Sequence, residues 1–195
     1  MRVEDSRSFT SVYEDFGELL ITHFGVSGPV ILSASAHLKN MEPGRYLLHI
    51  DLKPSLTREQ LDKRIVREVA LAPAKSIYNL LAALLPRSLV PVAVQLSGVN
   101  GALTANALTR EARANITELL KDLTLTVTGF RPISEAVVTS GGVCVKQIDP
   151  HTMRSKLKQG LYFAGEVIDA DAYTGGFNLQ IAFSTGFLAG TSAAL

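Results

Sequence analysis

Apolar and polar residues alternate over residues 45–52, and short strand-like runs bounded by turn residues occur over residues 8–13 and 18–23. A period of two predicts strands, because it places the apolar side chains on one face of a sheet. Ser27 and Pro29 supply an N-cap residue and a first-turn proline, which predict a helix. We expect strands over residues 8–13, 18–23 and 45–52, and a helix over about residues 29–38.

After residue 55 the spacing changes to that of helices. Thr57 and Gln60 form the sequence pattern of a capping box, and apolar residues then recur every three or four positions. Pro86 ends a second apolar segment, and Thr109 is an N-cap residue for a later one. The predicted helices of this block are residues 57–71, 76–85, 87–96 and 109–123.

Short apolar runs separated by glycines fill most of the remaining sequence. We expect strands over residues 123–128, 136–139, 143–148 and 161–164, and a final helix over residues 178–194. A glycine-rich loop joins the last strand to that helix. This order predicts an α+β protein with an α/β-type ending, in which a helical block is inserted into a β region.

Composition narrows the picture mainly through what it excludes. Of the 195 residues, 47% are hydrophobic, which is enough for a buried core, and the formal net charge of +1 gives no overall footprint for nucleic acid or an anionic membrane. No apolar stretch reaches the ~20 residues of a membrane-spanning helix. Cys144 is the single cysteine, which excludes an internal disulfide, and we expect it to be buried in a strand. These features predict a cytoplasmic protein without a membrane partner.

The histidines give little direct chemistry. The four of them show no metal-ligand spacing, so no metal site is expected. His23 follows a predicted strand and is either structural or a group for proton transfer. Ser27 lies outside any Gly-x-Ser-x-Gly elbow, which favours a helix cap over a nucleophile.

The strongest chemical signal lies between residues 160 and 190. An apolar segment ends at Gly165, an acidic side chain follows at Asp169, and Gly175 and Gly176 precede the last predicted helix. Glycine lets a backbone approach a ligand closely, and a helix N-terminus attracts an anion or an electron-rich carbonyl oxygen. The segment is therefore one edge of a cofactor site or a flexible turn before a terminal helix. The Gly-x-Gly-x-x-Gly fingerprint that holds a dinucleotide pyrophosphate is absent from the chain.

Four longer segments carry a family resemblance. They are GELLITHFGVSGP (residues 17–29), AVVTSGGV (136–143), TMRSK (152–156) and the segment 160–190. In this order they resemble the BaiN/RdsA-type (YhiN-like, aminoacetone-oxidase-like) family of bacterial NAD(P)/FAD-dependent flavoproteins. Members of that family are about twice as long and begin with a dinucleotide-binding βαβ unit. The resemblance implies that this chain is a C-terminal portion that lacks the N-terminal dinucleotide-binding segment.

The resemblance also implies a fold and a division into domains. The fold would be a β-barrel-like domain with a helical insertion, followed by the C-terminal strand-loop-helix of a FAD-binding Rossmann-like domain. The expected parts are residues 1–54 (first part of the barrel-like domain), 55–123 (helical insertion), 124–150 (second part of the barrel-like domain) and 151–195 (C-terminal segment of the FAD-binding domain).

The family pattern assigns cofactor roles within the segment 160–190. Asp169 would bond hydroxyls of the FAD ribityl chain or its neighbours, and Gly165 and Glu166 would lie near the middle of the cofactor. The helix N-terminus would face the N1/O2 edge of the flavin and stabilise its anionic reduced form. The residues expected to line the flavin are Gly175, Gly176, Asn178, Leu179 and Gln180.

Two further places are candidates for the substrate side. The loop of Thr139, Ser140, Gly141 and Gly142 is a tight β-turn by its local sequence, whereas the resemblance places it over the flavin or the substrate. Lys156 is either a solvated surface lysine or a partner for a substrate or nicotinamide phosphate.

The resemblance implies a FAD-dependent oxidoreductase that transfers hydride between FAD and a small-molecule substrate or NAD(P)H. The chain alone would be inactive, because the phosphate cradle for FAD lies in the missing segment. The alternative is a recognition module for substrate or RNA within a flavoenzyme that reduces a nucleobase in ribosomal RNA. A basic surface next to the flavin pocket would favour that alternative.

Overall fold

The computed structural model describes all residues, 1–195, and they form two compact units. Unit 1 contains residues 1–11 and 46–127, and unit 2 contains residues 12–45 and 128–195. The strands are β1 (Arg2–Asp5), β2 (Thr10–Glu14), β3 (Leu20–Thr22), β4 (Gly25–Ser27), β5 (Tyr46–Ile50) and β6 (Leu123–Thr126). The helices are α1 (Pro29–Ser35), α2 (Arg58–Leu71), α3 (Ile77–Leu81), α4 (Val90–Ser97), α5 (Arg110–Lys121) and α6 (Phe177–Ala193).

An antiparallel sheet forms one layer of unit 1. Its strand order is β2-β1-β5-β6, and the chain passes into unit 2 within β2. Val3 pairs with Leu48 and Leu48 pairs with Leu125, so β5 lies between β1 and β6. Alternate residues of β5, namely Tyr46, Leu48 and Ile50, are buried. The alternation that predicted β5 therefore marks the face of the sheet that packs inward.

The four helices α2–α5 form the helical block that the sequence predicted. The capping box is confirmed: the Gln60 amide N–H donates to Thr57 Oγ1, and the Thr57 amide N–H donates to Gln60 Oε1. Thr109 likewise caps α5 by accepting from the Ala112 amide N–H. The buried residues of this core are Leu61, Ile65, Ile77, Leu80, Leu81, Leu84, Leu85, Val90, Ala93, Ala105, Ile116 and Leu120.

A buried lysine joins the end of α5 to the segment that follows β5. Lys121 Nζ pairs with Asp51 Oδ2 and donates to the carbonyls of Leu56 (2.6 Å) and Lys53 (3.1 Å). Only 9% of its side chain is exposed. Because a buried ammonium needs partners for its three protons, these contacts fix the position of the loop before α2 against α5.

Unit 2 begins within β2 and continues with the hairpin of β3 and β4, which α1 follows directly. Pro29 is the first residue of α1, as predicted, but the N-cap is Gly28 rather than Ser27, and no side chain caps the helix. Gly28 has a φ of 98°, and a Cβ there would lie 3.0 Å from the Glu18 carbonyl oxygen. The close approach of these two backbone segments therefore requires glycine.

Residues 128–176 contain almost no regular structure. The strands predicted over residues 136–139, 143–148 and 161–164 are wrong, since only isolated bridges and 3-10 turns occur there. Glycines with positive φ, including Gly142 and Gly160, interrupt the segments before a ladder can extend. Cys144 is exposed, which corrects the prediction of a buried strand residue.

The final helix is confirmed with slightly different bounds, as α6. No helix of the structure combines the length and the apolar character needed to cross a bilayer. Helices next to an antiparallel sheet confirm the α+β class.

Candidate cofactor edge at the N-terminus of helix α6

The loop before α6 is closed by one side chain. Asn178 Oδ1 accepts from the Ala172 amide N–H (2.8 Å), and Asn178 Nδ2 donates to the Ala172 carbonyl (2.7 Å). Both bonds are made by a residue in the first turn of α6 to a residue six positions earlier. The two hydrogen bonds therefore close the loop from residue 172 to residue 178 and hold it against the start of the helix.

Two glycines lead into this helix terminus. Gly175 has a φ of 118° and Gly176, the N-cap, has a φ of 88° in the left-handed region. No side chain caps α6, and its first turn contains no acidic residue. The first amide N–H groups of the helix lack intrahelical acceptors, so they can donate to an electron-rich oxygen. This donor set fits the carbonyl edge of a flavin or another anionic group.

A second segment packs on the middle of α6. The Gly165 amide N–H donates to Thr185 Oγ1 (2.9 Å), and the 3-10 turn Gly165–Val167 contacts the helix. Gly165 has a φ of 71°. The side chains of Glu166 and Asp169, which follow, are exposed. They are therefore accessible to a ligand.

The predicted substrate-side loop lies against the same segment. The Val143 amide N–H donates to the Val167 carbonyl (2.8 Å), and the Asp169 amide N–H donates to the Val143 carbonyl (2.9 Å). Ser140 Oγ donates to Asp171 Oδ1 (3.4 Å). A Cβ on Gly142 would lie 2.5 Å from the Val167 carbonyl oxygen. The structure therefore brings the loop 140–143 together with residues 165–171.

A cluster of three aromatic rings near this edge was not predicted from the sequence. His37 Nε2 and the Tyr173 hydroxyl share a hydrogen bond of 2.6 Å, and the Tyr13 ring stacks on His37 with centroids 4.8 Å apart. Burial and the hydrogen bond to Asp15 raise the pKa of Tyr13. The three rings come from distant sequence positions, so no local pattern could have identified them.

Lys156 lies in a different part of unit 2. It lines a shallow groove of about 380 Å³ together with Asp149, Arg154, Ser155 and Gln159. The backbone of Arg154 forms an isolated antiparallel β-bridge with that of Tyr162. The Tyr162 hydroxyl donates to the Ser192 carbonyl near the C-terminus of α6. Ser192 is roughly 22 Å along the helix axis from its first residue, at 1.5 Å per residue. The groove therefore lies near the opposite end of α6 from the glycine pair.

His23 belongs to the β3–β4 hairpin. It is exposed, and its ring makes an edge contact with Phe24 at a centroid distance of 5.0 Å. The Arg131 guanidinium lies over the Phe24 ring, with its central carbon 4.6 Å from the ring centroid. These contacts give His23 a place in a surface cluster of rings. Nowhere in the structure do three or more His, Cys, Asp or Glu side chains converge as ligands for a metal ion.

Comparison with known proteins identifies the family. Residues 3–138 match the family described as the HI0933-like protein barrel and H2TH domain. The chain belongs to the HI0933-like family. The match includes the strands β1–β6 and the helices α1–α5, which confirms the predicted barrel-like domain with a helical insertion.

Curated relatives of this HI0933-like chain extend the similarity into its last third. A 3-dehydro-bile acid delta(4,6)-reductase of Clostridium scindens is 31% identical over 183 residues, which are 93% of the chain. Ribosomal RNA dihydrouridine synthases of Haemophilus influenzae and Escherichia coli are 31% and 33% identical over 88% and 86% of the chain. The resemblance drawn from the sequence is thereby confirmed. The chain spans only 45%, 41% and 40% of these three relatives.

Proposed function

We propose that this HI0933-like chain supplies one wall of the FAD site of an oxidoreductase. The observation that carries the proposal is the uncapped N-terminus of α6 behind Gly175 and Gly176. The names of the relatives, a reductase and two dihydrouridine synthases, support the reaction class. When bound, FAD would supply the hydride chemistry, exchanging hydride with a substrate or with NAD(P)H.

The chain's own residues would bind and orient the cofactor. The free amide N–H groups of Asn178 and Leu179, at the start of α6, would face the electron-rich edge of the ring. The Gln180 amide N–H donates to the Gly176 carbonyl (3.0 Å), so Gln180 would line the flavin through its side chain alone. Asp169 would bond a hydroxyl of the ribityl chain, and Gly165 would permit close backbone approach. Exposure of Asp169 and the positive φ of Gly165 support these roles.

The surface of α6 supports a larger protein around this edge. Phe177, Phe183 and Phe187 are 60%, 70% and 74% exposed, and Ala189 is the buried residue of the helix. A helix that is apolar on all sides is normally buried on all sides. The relatives are more than twice as long as this chain. In this proposal, part of that additional sequence covers α6 and holds the FAD phosphates, and residues 151–195 complete the FAD-binding domain.

Absorbance spectroscopy tests the proposal directly. The complete protein should purify with a flavin spectrum near one FAD per chain, whereas the 195-residue chain alone should be colourless and inactive. Asp169→Ala in the complete protein should weaken FAD binding about tenfold, the loss of one charge-assisted hydrogen bond. Asp62→Ala, in the helical block, is the matched control. A complete protein that binds no flavin would refute the proposal.

Ribosomal RNA is a second candidate as substrate. Two relatives carry it in their names, and the groove beside Arg154 and Lys156 offers cationic side chains. If the groove contacts RNA phosphates, Lys156→Ala should weaken binding of ribosomal RNA fragments and reduce the slope of log K against log salt by about one. Lys63→Ala, on α2, is the control, and an unchanged slope in Lys156→Ala would contradict this role.

A further inference from the structure

Three rings of unit 2 form a connected cluster. Tyr13 lies in β2, His37 follows α1, and Tyr173 lies in the loop before α6. The Tyr13 and His37 rings are stacked at an interplanar angle of 29°, and His37 Nε2 is 2.6 Å from the Tyr173 hydroxyl. The Tyr173 ring centroid lies 5.9 Å from that of His37. A hydrogen bond and a stacking contact thus hold the imidazole from two sides.

The position of Tyr173 is tied to the candidate cofactor edge. Its neighbour Ala172 makes both backbone hydrogen bonds to the Asn178 side chain, and Gly175 follows two residues later. Tyr173 is 50% exposed even though its hydroxyl bonds His37. The phenol is therefore accessible to a ligand and fixed to the same loop as the α6 N-terminus.

Tyr13 and Asp15 form the other end of the cluster. The Tyr13 hydroxyl donates to Asp15 Oδ2 (2.9 Å), while its ring covers His37. Burial and that hydrogen bond raise the pKa of Tyr13, so it stays neutral next to the imidazole. The titratable groups around His37 are thus Tyr13 from β2 and Tyr173 from the loop before α6, with Asp15 beyond Tyr13. Lys39, two residues further along the chain from His37, is exposed.

Reduction of a carbon–carbon double bond needs a proton as well as a hydride. The relatives' names, delta(4,6)-reductase and dihydrouridine synthase, describe such additions of two hydrogens. A phenol keeps its proton at neutral pH, and an imidazole exchanges protons readily in that range. The pair of Tyr173 and His37 has the geometry of a proton donor with a group behind it that can restore the proton.

We infer that Tyr173 is the proton donor for reduction of a polarised carbon–carbon double bond and that His37 is its positioning and reprotonating partner. This inference rests on the proposed flavin function. Reduced FAD, when bound, would supply the hydride for the β-carbon of an unsaturated carbonyl compound and would become oxidised in doing so. The π electron pair of the double bond takes the Tyr173 proton at the α-carbon, and the O–H bond of Tyr173 breaks. The His37 imidazolium then gives a proton to the Tyr173 phenolate, and the neutral imidazole regains a proton from solvent.

Flavin reoxidation in the complete, FAD-loaded protein tests the inference. The reduced protein is mixed with 2-cyclohexen-1-one, an unsaturated ketone, or with ferricyanide, which takes electrons without a proton. Tyr173→Phe should slow reoxidation by the ketone about 100-fold and leave reoxidation by ferricyanide unchanged, because general acid catalysis contributes about that much. Tyr162→Phe removes a hydroxyl at the far end of α6 and should match wild type with both oxidants.

A second readout does not depend on activity. The ¹⁵N NMR signal of His37 Nε2 should shift in Tyr173→Phe and stay in place in Tyr162→Phe. His37→Gln keeps a hydrogen-bonding group near Tyr173 but cannot exchange the proton. This variant should slow the ketone reaction and change the pH profile of its rate, whereas His151→Gln should leave the rate and the profile as in wild type.

The possible results separate this inference from the flavin proposal. Absence of bound flavin would refute the proposed function itself. If the protein binds flavin and ferricyanide reoxidises it, but the Tyr173→Phe variant reduces the ketone at the wild-type rate, only the role of Tyr173 is refuted. A wild-type flavoprotein that ferricyanide reoxidises but cyclohexenone does not would likewise refute the assigned substrate class and the proton-donor role.

Discussion

The Asn178 side chain holds the backbone of Ala172 by both its amide N–H and its carbonyl oxygen, at 2.8 and 2.7 Å. The carboxamide accepts from the N–H group and donates to the carbonyl of one residue. A carboxylate or an aliphatic side chain cannot make both hydrogen bonds. Tyr173 and Gly175 follow Ala172 closely in the chain. The two hydrogen bonds between Asn178 and Ala172 therefore set the shape of the whole loop before α6.

Asn178→Ala should weaken FAD binding to the complete protein about 30-fold. Two neutral hydrogen bonds, each contributing about 1 kcal/mol, would be lost, and the loop would have to be ordered on binding. Isothermal titration of the apoprotein with FAD measures the effect. Thr191→Ala, which removes a hydroxyl bonded to the Phe187 carbonyl near the other end of α6, should leave the affinity unchanged. Equal affinities for Asn178→Ala and wild type would contradict a role for the loop.

Gly142→Ala should destabilise the protein by about 2 kcal/mol or more. The added methyl group would lie 2.5 Å from the Val167 carbonyl oxygen, at a φ of 151°, so the pairing of residues 143 and 168 would have to shift. Urea denaturation measures the free energy of unfolding. Gly129→Ala is the matched control, because a Cβ there meets no atom within 4 Å. A similar stability for the two variants would show that the loop moves freely.

Lys121→Met should destabilise the helical block by about 3–5 kcal/mol. The substitution leaves Asp51 and two carbonyl groups without their shared cationic partner in a mostly buried place. Lys63→Met removes an ion pair with Glu59 whose side chains are 73% and 77% exposed, and it should cost less than about 0.5 kcal/mol. Denaturation of the two variants side by side distinguishes a buried from an exposed ion pair.

Asp149 should titrate below the usual range of an aspartate. The His151 amide N–H donates to its carboxylate (2.9 Å), which lowers the pKa of Asp149. A lowered pKa in the folded state stabilises the protein above the unfolded pKa, about 4, and this contribution is lost as pH falls through the folded value. A ¹³C NMR titration of the carboxyl group measures the midpoint. A midpoint at or above 4 would contradict the assignment.

Phe183→Ser and Phe187→Ser should each destabilise the complete protein by about 3 kcal/mol, although both rings are exposed in this chain. The reason is that the proposed remainder of the protein covers α6. Phe16→Ser is the control, since Phe16 is 79% exposed and lies outside that helix. Thermal melting of the complete protein measures the effect, and three equal melting temperatures would mean that α6 is not covered.

Local patterns predicted the helices better than the strands. The capping box at Thr57, the N-cap at Thr109 and the alternation in β5 all depend on neighbouring residues, so they were visible in the sequence. The predicted strands after residue 135 were wrong because a strand also needs a partner. Val143 pairs with Ile168 at one position only, and Gly142 turns the chain away.

The sequence by itself determined the helical block, the glycine turn before α6 and the family, because each depends on residues close together in the chain or on a linear motif. Only the tertiary structure decided which distant groups meet. It set His37 against Tyr173 and Lys121 against Asp51, and it put Lys156 near the opposite end of α6 from the glycine turn. Such contacts depend on how separate segments pack, and the spacing of residues along the chain contains no record of that geometry.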